Sequence, residues 1–428
     1  MKFIKSKELF DRSVKVIPGG VNSPVRFFKP YPFFVSSGFG SKIVTADHRT
    51  LLDYCMGYGS LILGHSYPQV LETIKNQLDK GTLFCIPTEK EVYLAELLTD
   101  IIPCAEKVRI LNTGSESTMT AIRLSRAFNK RKKIIKFDGG YHGAYDYVLV
   151  KAGSGAANIP SSEGSLEEIS KETLIVKYND LEDLENIIKK ESGNISCLIV
   201  EPILGNYGLV LPEKNYLNNL RKVTRENDII LIFDEVITGF RLSLGGASEF
   251  FGLKPDLATF SKSLGNGFPI AALCGKAEIM DQLSPIGNVY QASTYAGNPI
   301  SVSACIATMH ILKANKNTIY PQLARSCDTL VKGIRDSINK FDEFFTINSI
   351  GSLFQIFFTS GKVNSTLDVI KSDQKLFEKF FLMLLQKDIF IPPSQFETCF
   401  TSFSHNEEDI ERTIESYSNS LLKIMNIK

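Results

Sequence analysis

Asp256-Leu257-Ala258-Thr259-Phe260-Ser261-Lys262-Ser263-Leu264-Gly265-Asn266-Gly267 is the stretch on which the fold turns. An apolar run stops at a lysine, and a glycine-containing turn follows. Upstream, a second apolar run, Ile229-Ile230-Leu231-Ile232-Phe233, stops at Asp234-Glu235. Alone, a lysine after a strand is a solvated turn residue. In an open α/β sheet, however, ligands sit beyond the carboxyl ends of the strands. A parallel sheet would deliver this acid and this amine to the same edge.

Working outward, apolar runs alternate with amphipathic helical patterns from about residue 107: Val108–Leu111, Ile134–Phe137, Leu174–Val176, Cys197–Val200, Ile229–Phe233 and Leu257–Phe260. Nearly continuous apolar strands separated by helices predict an α/β domain with a mostly parallel sheet covered by helices on both faces. Before it, helical spacing marks residues 6–17, 68–80 and 89–101, the last opened by a capping box from Thr88 to Glu91. Short strands are expected at Phe33–Val35 and Lys42–Thr45. After about residue 310, strands at 354–358, 389–391 and 399–402 mix with helices near 373–387 and 406–425, as in a smaller α+β lobe. The expected partition is an N-terminal segment over 1–60, a large domain over 61–310 and a small domain over 311–428.

The totals narrow the function. The chain has 428 residues, 43% of them hydrophobic and 22% charged, with a net charge of +1. That balance points to neither nucleic acid nor an anionic membrane. No apolar run approaches the ~18–20 residues that span a bilayer, and the basic start lacks the apolar region of a signal peptide. A cytoplasmic location is expected. Eight scattered cysteines form no CxxC pair and five histidines have no HExxH spacing, so no metal site is expected.

The residues after each strand carry the chemistry. Asn112-Thr113-Gly114-Ser115-Glu116-Ser117-Thr118 opens a helix with hydroxyls around a glycine. Backbone N–H groups and hydroxyls there would cradle an anion. The same residues would serve equally as a helix cap. Asp138-Gly139-Gly140-Tyr141-His142-Gly143 offers a flat ring between glycines. Glu201-Pro202-Ile203-Leu204-Gly205-Asn206 puts a carboxylate and an amide at a strand end, then come Asp234-Glu235-Val236 and Lys262. An anion cradle, an aromatic plate, an amide, an acid and an amine together suit a planar heterocycle bearing a phosphate, a phenolic oxygen, a ring nitrogen and an aldehyde. Pyridoxal phosphate has all four, with Lys262 forming its Schiff base and Asp234 pairing with the pyridinium nitrogen.

The chain resembles the fold-type I pyridoxal-phosphate enzymes of the class III aminotransferase group. More narrowly it is similar to the glutamate-1-semialdehyde 2,1-aminomutase family, in its archaeal form. The likeness runs nearly end to end. It is carried by Pro-Gly-Gly-Val-Asn-Ser-Pro-Val-Arg (18–26), Leu-Gly-His (63–65), the stretches 118–126 and 141–155, Phe-Asp-Glu-Val-Ile-Thr-Gly-Phe-Arg (233–241), Val-Tyr-Gln-Ala-Ser-Thr-Tyr-Ala-Gly-Asn-Pro (289–299) and Pro-Pro-Ser-Gln-Phe-Glu (392–397). The resemblance implies that Lys262 is both the Schiff-base lysine and the proton shuttle, and that Asp234 holds the pyridinium. Tyr141 would stack on the ring, with Val236 also in the cofactor site, and Asn206 would touch the phenolic oxygen. Thr113, Gly114 and Ser115 would cradle the phosphate. Thr294 would reach the phosphate of the neighbouring subunit, which makes the site the product of a homodimer. Ser23 and Arg26 would hold the substrate carboxylate, with Ser154 nearby in a flap and Tyr58 and Glu397 lining the pocket.

Three departures stand out. The phosphate loop reads Thr-Gly-Ser-Glu-Ser rather than Ser-Gly-Thr-Glu-Ala. Around the lysine the chain reads Ser-Lys-Ser-Leu-Gly-Asn-Gly rather than Gly-Lys-Ile-Ile-Gly-Gly-Gly, so Ser261 and Asn266 replace glycines and Ser263 an isoleucine. Tyr58 replaces a more usual tryptophan. Asn266 is expected to take the left-handed conformation a glycine would. The reaction implied is an intramolecular amine transfer from glutamate-1-semialdehyde to 5-aminolevulinate in tetrapyrrole biosynthesis, starting from pyridoxamine phosphate. The glutamyl-tRNA reductase that would supply the substrate is a candidate partner. The rival is an ω-amino transaminase of the same class. Many of these use a late-chain arginine, and here Arg412 sits among Glu407, Glu408 and Glu411, where it reads as a solvated ion pair.

Overall fold

In the computed structural model, which describes residues 3–153 and 162–425, the first helix runs Ile4–Ser13 and leads to three strands. These are β1 (Val35–Phe39), β2 (Lys42–Thr45) and β3 (Thr50–Asp53), an antiparallel set. Seven further strands follow: β4 (Lys107–Leu111), β5 (Lys133–Phe137), β6 (Thr173–Val176), β7 (Ile195–Val200), β8 (Ile230–Asp234), β9 (Leu257–Phe260) and β10 (Ala271–Gly275). The last four are β11 (Thr346–Ile350), β12 (Leu353–Phe357), β13 (Ile389–Phe390) and β14 (Cys399–Phe400).

The chain forms two compact units. One comprises residues 68–320 and 364–366, built on a seven-stranded sheet of order β4-β10-β9-β8-β7-β5-β6. Strands β6, β5, β7, β8 and β9 are mutually parallel. β10 runs antiparallel to both β9 and β4, so β4 points the same way as the rest. All the parallel strands therefore end at one edge. Every residue of β7, β8 and β9 is buried, which is why these strands read as unbroken apolar runs rather than as alternations. Helices cover both faces, as a fold-type I transferase requires.

The other unit comprises residues 1–67, 321–363 and 367–428 within the described range. It holds a four-stranded sheet, β1-β2-β3-β13, and a three-stranded one, β11-β12-β14. Its core is aromatic, with Phe354, Phe358, Phe377, Phe380 and Tyr417 buried together. Phe380 and Tyr417 meet edge to face at 4.9 Å, a favoured aromatic geometry.

Two departures from expectation concern strands. The first strand begins at Val35 rather than ending there, and its Ser-Ser-Gly centre carries little apolar signal. β10 is Ala-Ala-Leu-Cys-Gly, four small residues and one leucine without β-branching, and its period gave no strand signal, although all five are buried.

Candidate active site

The anion end of the sheet edge is built by the turn after β4. Thr113 is extended (φ −135°, ψ 152°) and caps the helix Gly114–Asn129. Its Oγ1 accepts the Glu116 N–H at 3.2 Å, and the Glu116 carboxylate accepts the N–H groups of Asn112 (2.8 Å) and Thr113 (3.2 Å). This is a full capping box. The N–H of Thr113 and a lone pair of its hydroxyl are thus committed to the helix. The amides of Gly114 and Ser115 are first-turn donors with no intrahelical acceptor. Gly114 is required sterically, since a Cβ there would lie 2.9 Å from Val236 Cγ2. At Gly143 (φ +116°) a Cβ would lie 2.6 Å from Ser115 Oγ. The turn after β5 thus presses directly on the cradle.

The acid sits at the end of β8. Asp234 is buried, and its Oδ2 lies 2.7 Å from His142 Nδ1. Its Oδ1 accepts from Val236 N–H at 3.1 Å and Thr259 Oγ1 at 3.3 Å. A carboxylate only accepts, so the proton of this pair lies on Nδ1 of a fully buried imidazole. His142 was not singled out from the sequence. Only its place in Tyr-His-Gly hinted at it, because its partner is 92 positions away.

The amide and the plate share one anchor. Glu201, buried just past β7, accepts from Tyr141 N–H (2.9 Å), Gly205 N–H (3.0 Å) and Asn206 Nδ2 (2.9 Å). Burial pushes its carboxyl up from the ordinary range, while the nearby His142 and these N–H groups pull it down.

Lys262 follows β9, in a short 3-10 turn over Lys262–Gly265. Asp234 pairs with Thr259 across the parallel β8–β9 ladder, so acid and amine emerge from adjacent strands at the same edge. Lys262 has φ +46°, in the left-handed region that a residue with a Cβ enters at a cost of about 1–2 kcal/mol. Asn266 has φ 42° and ψ 48°, the left-handed conformation expected of it.

The other unit carries Ser23, Arg26, Tyr58 and Glu397. Ser23 and Arg26 bracket the turn Pro24–Arg26, closed by Arg26 N–H on the Ser23 carbonyl at 3.1 Å. The Tyr58 hydroxyl donates to the Val25 carbonyl, inside that turn, at 2.7 Å. Tyr58 lies in a left-handed turn, with φ of 46°, 61°, 54° and 89° at Met56, Gly57, Tyr58 and Gly59. Asp53 holds its entry: Oδ1 accepts the N–H groups of Cys55 (2.8 Å) and Met56 (3.1 Å), and Oδ2 meets His65 Nε2 at 2.8 Å. Burial raises the Tyr58 phenol well above its usual range. Cys55 and Glu397 add to the rise and Arg26 opposes it. Glu397 is buried, and its carbonyl accepts from Gln355 Nε2.

Ser154 lies outside the described residues. Thr294 is exposed, in a recess of about 320 Å³ shared with Phe84, Ile86 and Gly297. Arg412 corrects an expectation: its Nη2 donates to the Lys387 carbonyl at 2.9 Å, and none of the ion pairs found among the described residues includes it.

The residues of the sheet edge fit pyridoxal phosphate. Gly114 and Gly143 let the turns after β4 and β5 and the residues after β8 pack closely around the helix start, and a buried carboxylate stands one strand from a lysine. The comparisons agree. The aminotransferase class-III family matches residues 26–415. The glutamate-1-semialdehyde 2,1-aminomutase of Nitrosopumilus maritimus is 52% identical, over 99% of this chain and 100% of that one. That of Methanothermobacter thermautotrophicus is 48% identical at the same coverage. An omega-transaminase from Sphaerobacter thermophilus superposes with a TM-score of 0.90 at 30% identity, covering 97% of each chain. A glutamate-1-semialdehyde-aminomutase from Pseudomonas aeruginosa, solved with PMP, shares the fold at a TM-score of 0.86 and 22% identity, over 98% of this chain and 94% of that one. This chain belongs to the class-III aminotransferases and, within them, to the glutamate-1-semialdehyde 2,1-aminomutase family.

Proposed function

We propose that this chain is an isomerase that moves the amino group of glutamate-1-semialdehyde to give 5-aminolevulinate, with pyridoxal or pyridoxamine phosphate as cofactor. The relatives named above carry that activity in their names over the whole chain length. The structural observation that carries the reading is the turn that presents Arg26, pinned by the Tyr58 hydroxyl on the Val25 carbonyl. It offers one guanidinium for one carboxylate, and the same unit carries Glu397 as a buried acid that would oppose a second. A two-substrate transaminase acting on dicarboxylic acids needs the opposite.

When bound, the cofactor supplies an electron sink for breaking a bond to hydrogen beside the amino group. The protein does the rest. Lys262 Nζ would hold the cofactor and would take and return the proton at the substrate carbon. Asp234, backed by His142, keeps the ring nitrogen protonated. Tyr141 and Val236 hold the ring and Asn206 the phenolic oxygen. Gly114 and Ser115, with what remains of the Thr113 hydroxyl, bind the phosphate. Ser23 and Arg26 hold the substrate carboxylate, Tyr58 and Glu397 line its pocket, and Ser154 closes the set.

We also propose that a second copy completes the site through Thr294. The exposed Thr294 lies among exposed apolar side chains, Phe84, Ile86 and Tyr295, that a partner would cover. No helix among the described residues is long and apolar enough to cross a membrane. A cytoplasmic enzyme supplied by a glutamyl-tRNA reductase, with the cofactor domain over 61–310 flanked by 1–60 and 311–428, completes the proposal.

The test is to supply glutamate-1-semialdehyde alone and measure 5-aminolevulinate. Formation without any amino donor or oxo-acid acceptor supports the mutase. Strict dependence on a donor would assign the omega-transaminase activity of the structural neighbour instead.

A further inference from the structure

We propose that Glu201 is a positioning residue that presets the ring-stacking Tyr141 and the oxygen-binding Asn206 before any cofactor arrives. The proposal rests on the roles given to those two residues above.

The geometry is one carboxylate between two loops. Tyr141 belongs to the turn after β5, and Asn206 to the turn after β7, its neighbour in the sheet. Oε1 of Glu201 takes the Tyr141 N–H, while Oε2 takes the Gly205 N–H and the Asn206 amide. A buried carboxylate ordinarily seeks a cation. The nearby His142 instead gives its Nδ1 to Asp234. Glu201 thus spends both oxygens on N–H groups from the two cofactor-facing loops.

The surroundings leave little slack. A Cβ on Gly153 would lie 2.0 Å from the Gly139 carbonyl oxygen and 2.3 Å from that of Asn206. A Cβ on Gly205 would lie 3.0 Å from Ile237 Cδ1. Gly153 thus lies against the backbone of both loops, and the carboxylate bonds to both. Only a carboxylate can do so, because both of its oxygens accept. Glutamine has one acceptor. With that oxygen on the two-donor side, its Nε2 meets the Tyr141 N–H, donor against donor. With the amide reversed, both Gly205 N–H and Asn206 Nδ2 lose their acceptor. The first arrangement strands fewer donors, so Glu201→Gln should displace the Tyr141 main chain and spare Asn206. Burial favours the protonated carboxyl, and the three N–H groups oppose it.

The test has two arms. In the first, pyridoxamine phosphate binding to the cofactor-free full-length chain is measured by equilibrium dialysis for the wild type, Glu201→Gln, Tyr141→Ala and Asn206→Ala. We expect Glu201→Gln to weaken binding about tenfold, and Asn206→Ala to weaken it further in the Glu201→Gln background. Binding within twofold of wild type in Glu201→Gln, with tenfold losses in the other two variants, overturns the proposal and leaves the roles of Tyr141 and Asn206 standing. No loss in Tyr141→Ala and Asn206→Ala overturns those roles, and the proposal with them. The second arm needs no variant. Hydrogen exchange at the amides of Tyr141 and Gly205 is compared with and without cofactor. Protection that stays within tenfold on cofactor removal supports a preset bracket, and a hundredfold loss at both amides refutes it.

Discussion

Tyr58→Phe removes one oxygen and little else. The ring stays in the left-handed turn, and the hydroxyl bond to the Val25 carbonyl, 2.7 Å long, is lost. A bond of this kind contributes about 0.5–1.5 kcal/mol net. Val25 lies beside Arg26, so the loss loosens the turn that presents the guanidinium. If that energy enters substrate binding, KM for glutamate-1-semialdehyde should rise about 2- to 12-fold. The lost bond holds the turn and not a reacting group, so kcat should stay within about twofold. The assay is steady-state 5-aminolevulinate formation in a double-mutant cycle with Arg26→Ala. In the Arg26→Ala background, Tyr58→Phe should change KM hardly at all, because there is no guanidinium left to place. An equal KM rise in both backgrounds, or a fall in kcat at unchanged KM, would refute the reasoning.

Other outcomes follow from the same geometry. Lys262→Ala should cut turnover by several orders of magnitude while the protein still binds pyridoxamine phosphate, as a single-turnover assay beside a dialysis measurement would show. His142→Ala strips the buried Asp234 of its nearest partner and should cost about 3–5 kcal/mol in a urea unfolding curve; a cost below about 1 kcal/mol would mean the pair is not coupled. Lys136 is fully buried, donates to the Val150 carbonyl at 2.7 Å, and is held down to about 7 by burial. The unfolded chain, with an ordinary lysine, binds the extra proton between about pH 7 and 10. Stability should therefore rise with pH through that window by about 1.4 kcal/mol per unit relative to Lys136→Met, level off above it, and show its full deficit below pH 7. Parallel wild-type and variant curves between pH 7 and 9 would contradict this.

The strand ends were legible because each apolar run of a buried parallel strand stops where its chemistry starts. Val108–Leu111, Cys197–Val200 and Leu257–Phe260 all do so. What escaped the sequence depends on pairing. β10 could not be found from four small residues and a leucine, and its antiparallel direction is a property of its neighbours. Thr113 looked like a phosphate ligand because hydroxyls at a helix start serve anions and caps alike, and only the Glu116 bonds show how much the cap takes. His142 acts on Asp234, 92 positions away, and Glu201, legible beside Asn206, also takes the Tyr141 N–H 60 positions away, so no local window contains those two bonds. Tyr58 is left-handed like the glycines on either side of it, and nothing in a tyrosine signals that.

The left-handed backbone at Lys262 bears on how this protein could be bred. Glycine is at ease with φ near +46°, and lysine and alanine are not. Lys262→Gly should therefore unfold at higher denaturant than Lys262→Ala, by roughly 1 kcal/mol, despite the greater chain freedom glycine brings to the unfolded state. A selection for heat resistance alone would then favour discarding the lysine. Only a selection that also demands turnover keeps it, so the reactive residue is retained against a standing pull toward a sturdier and silent protein.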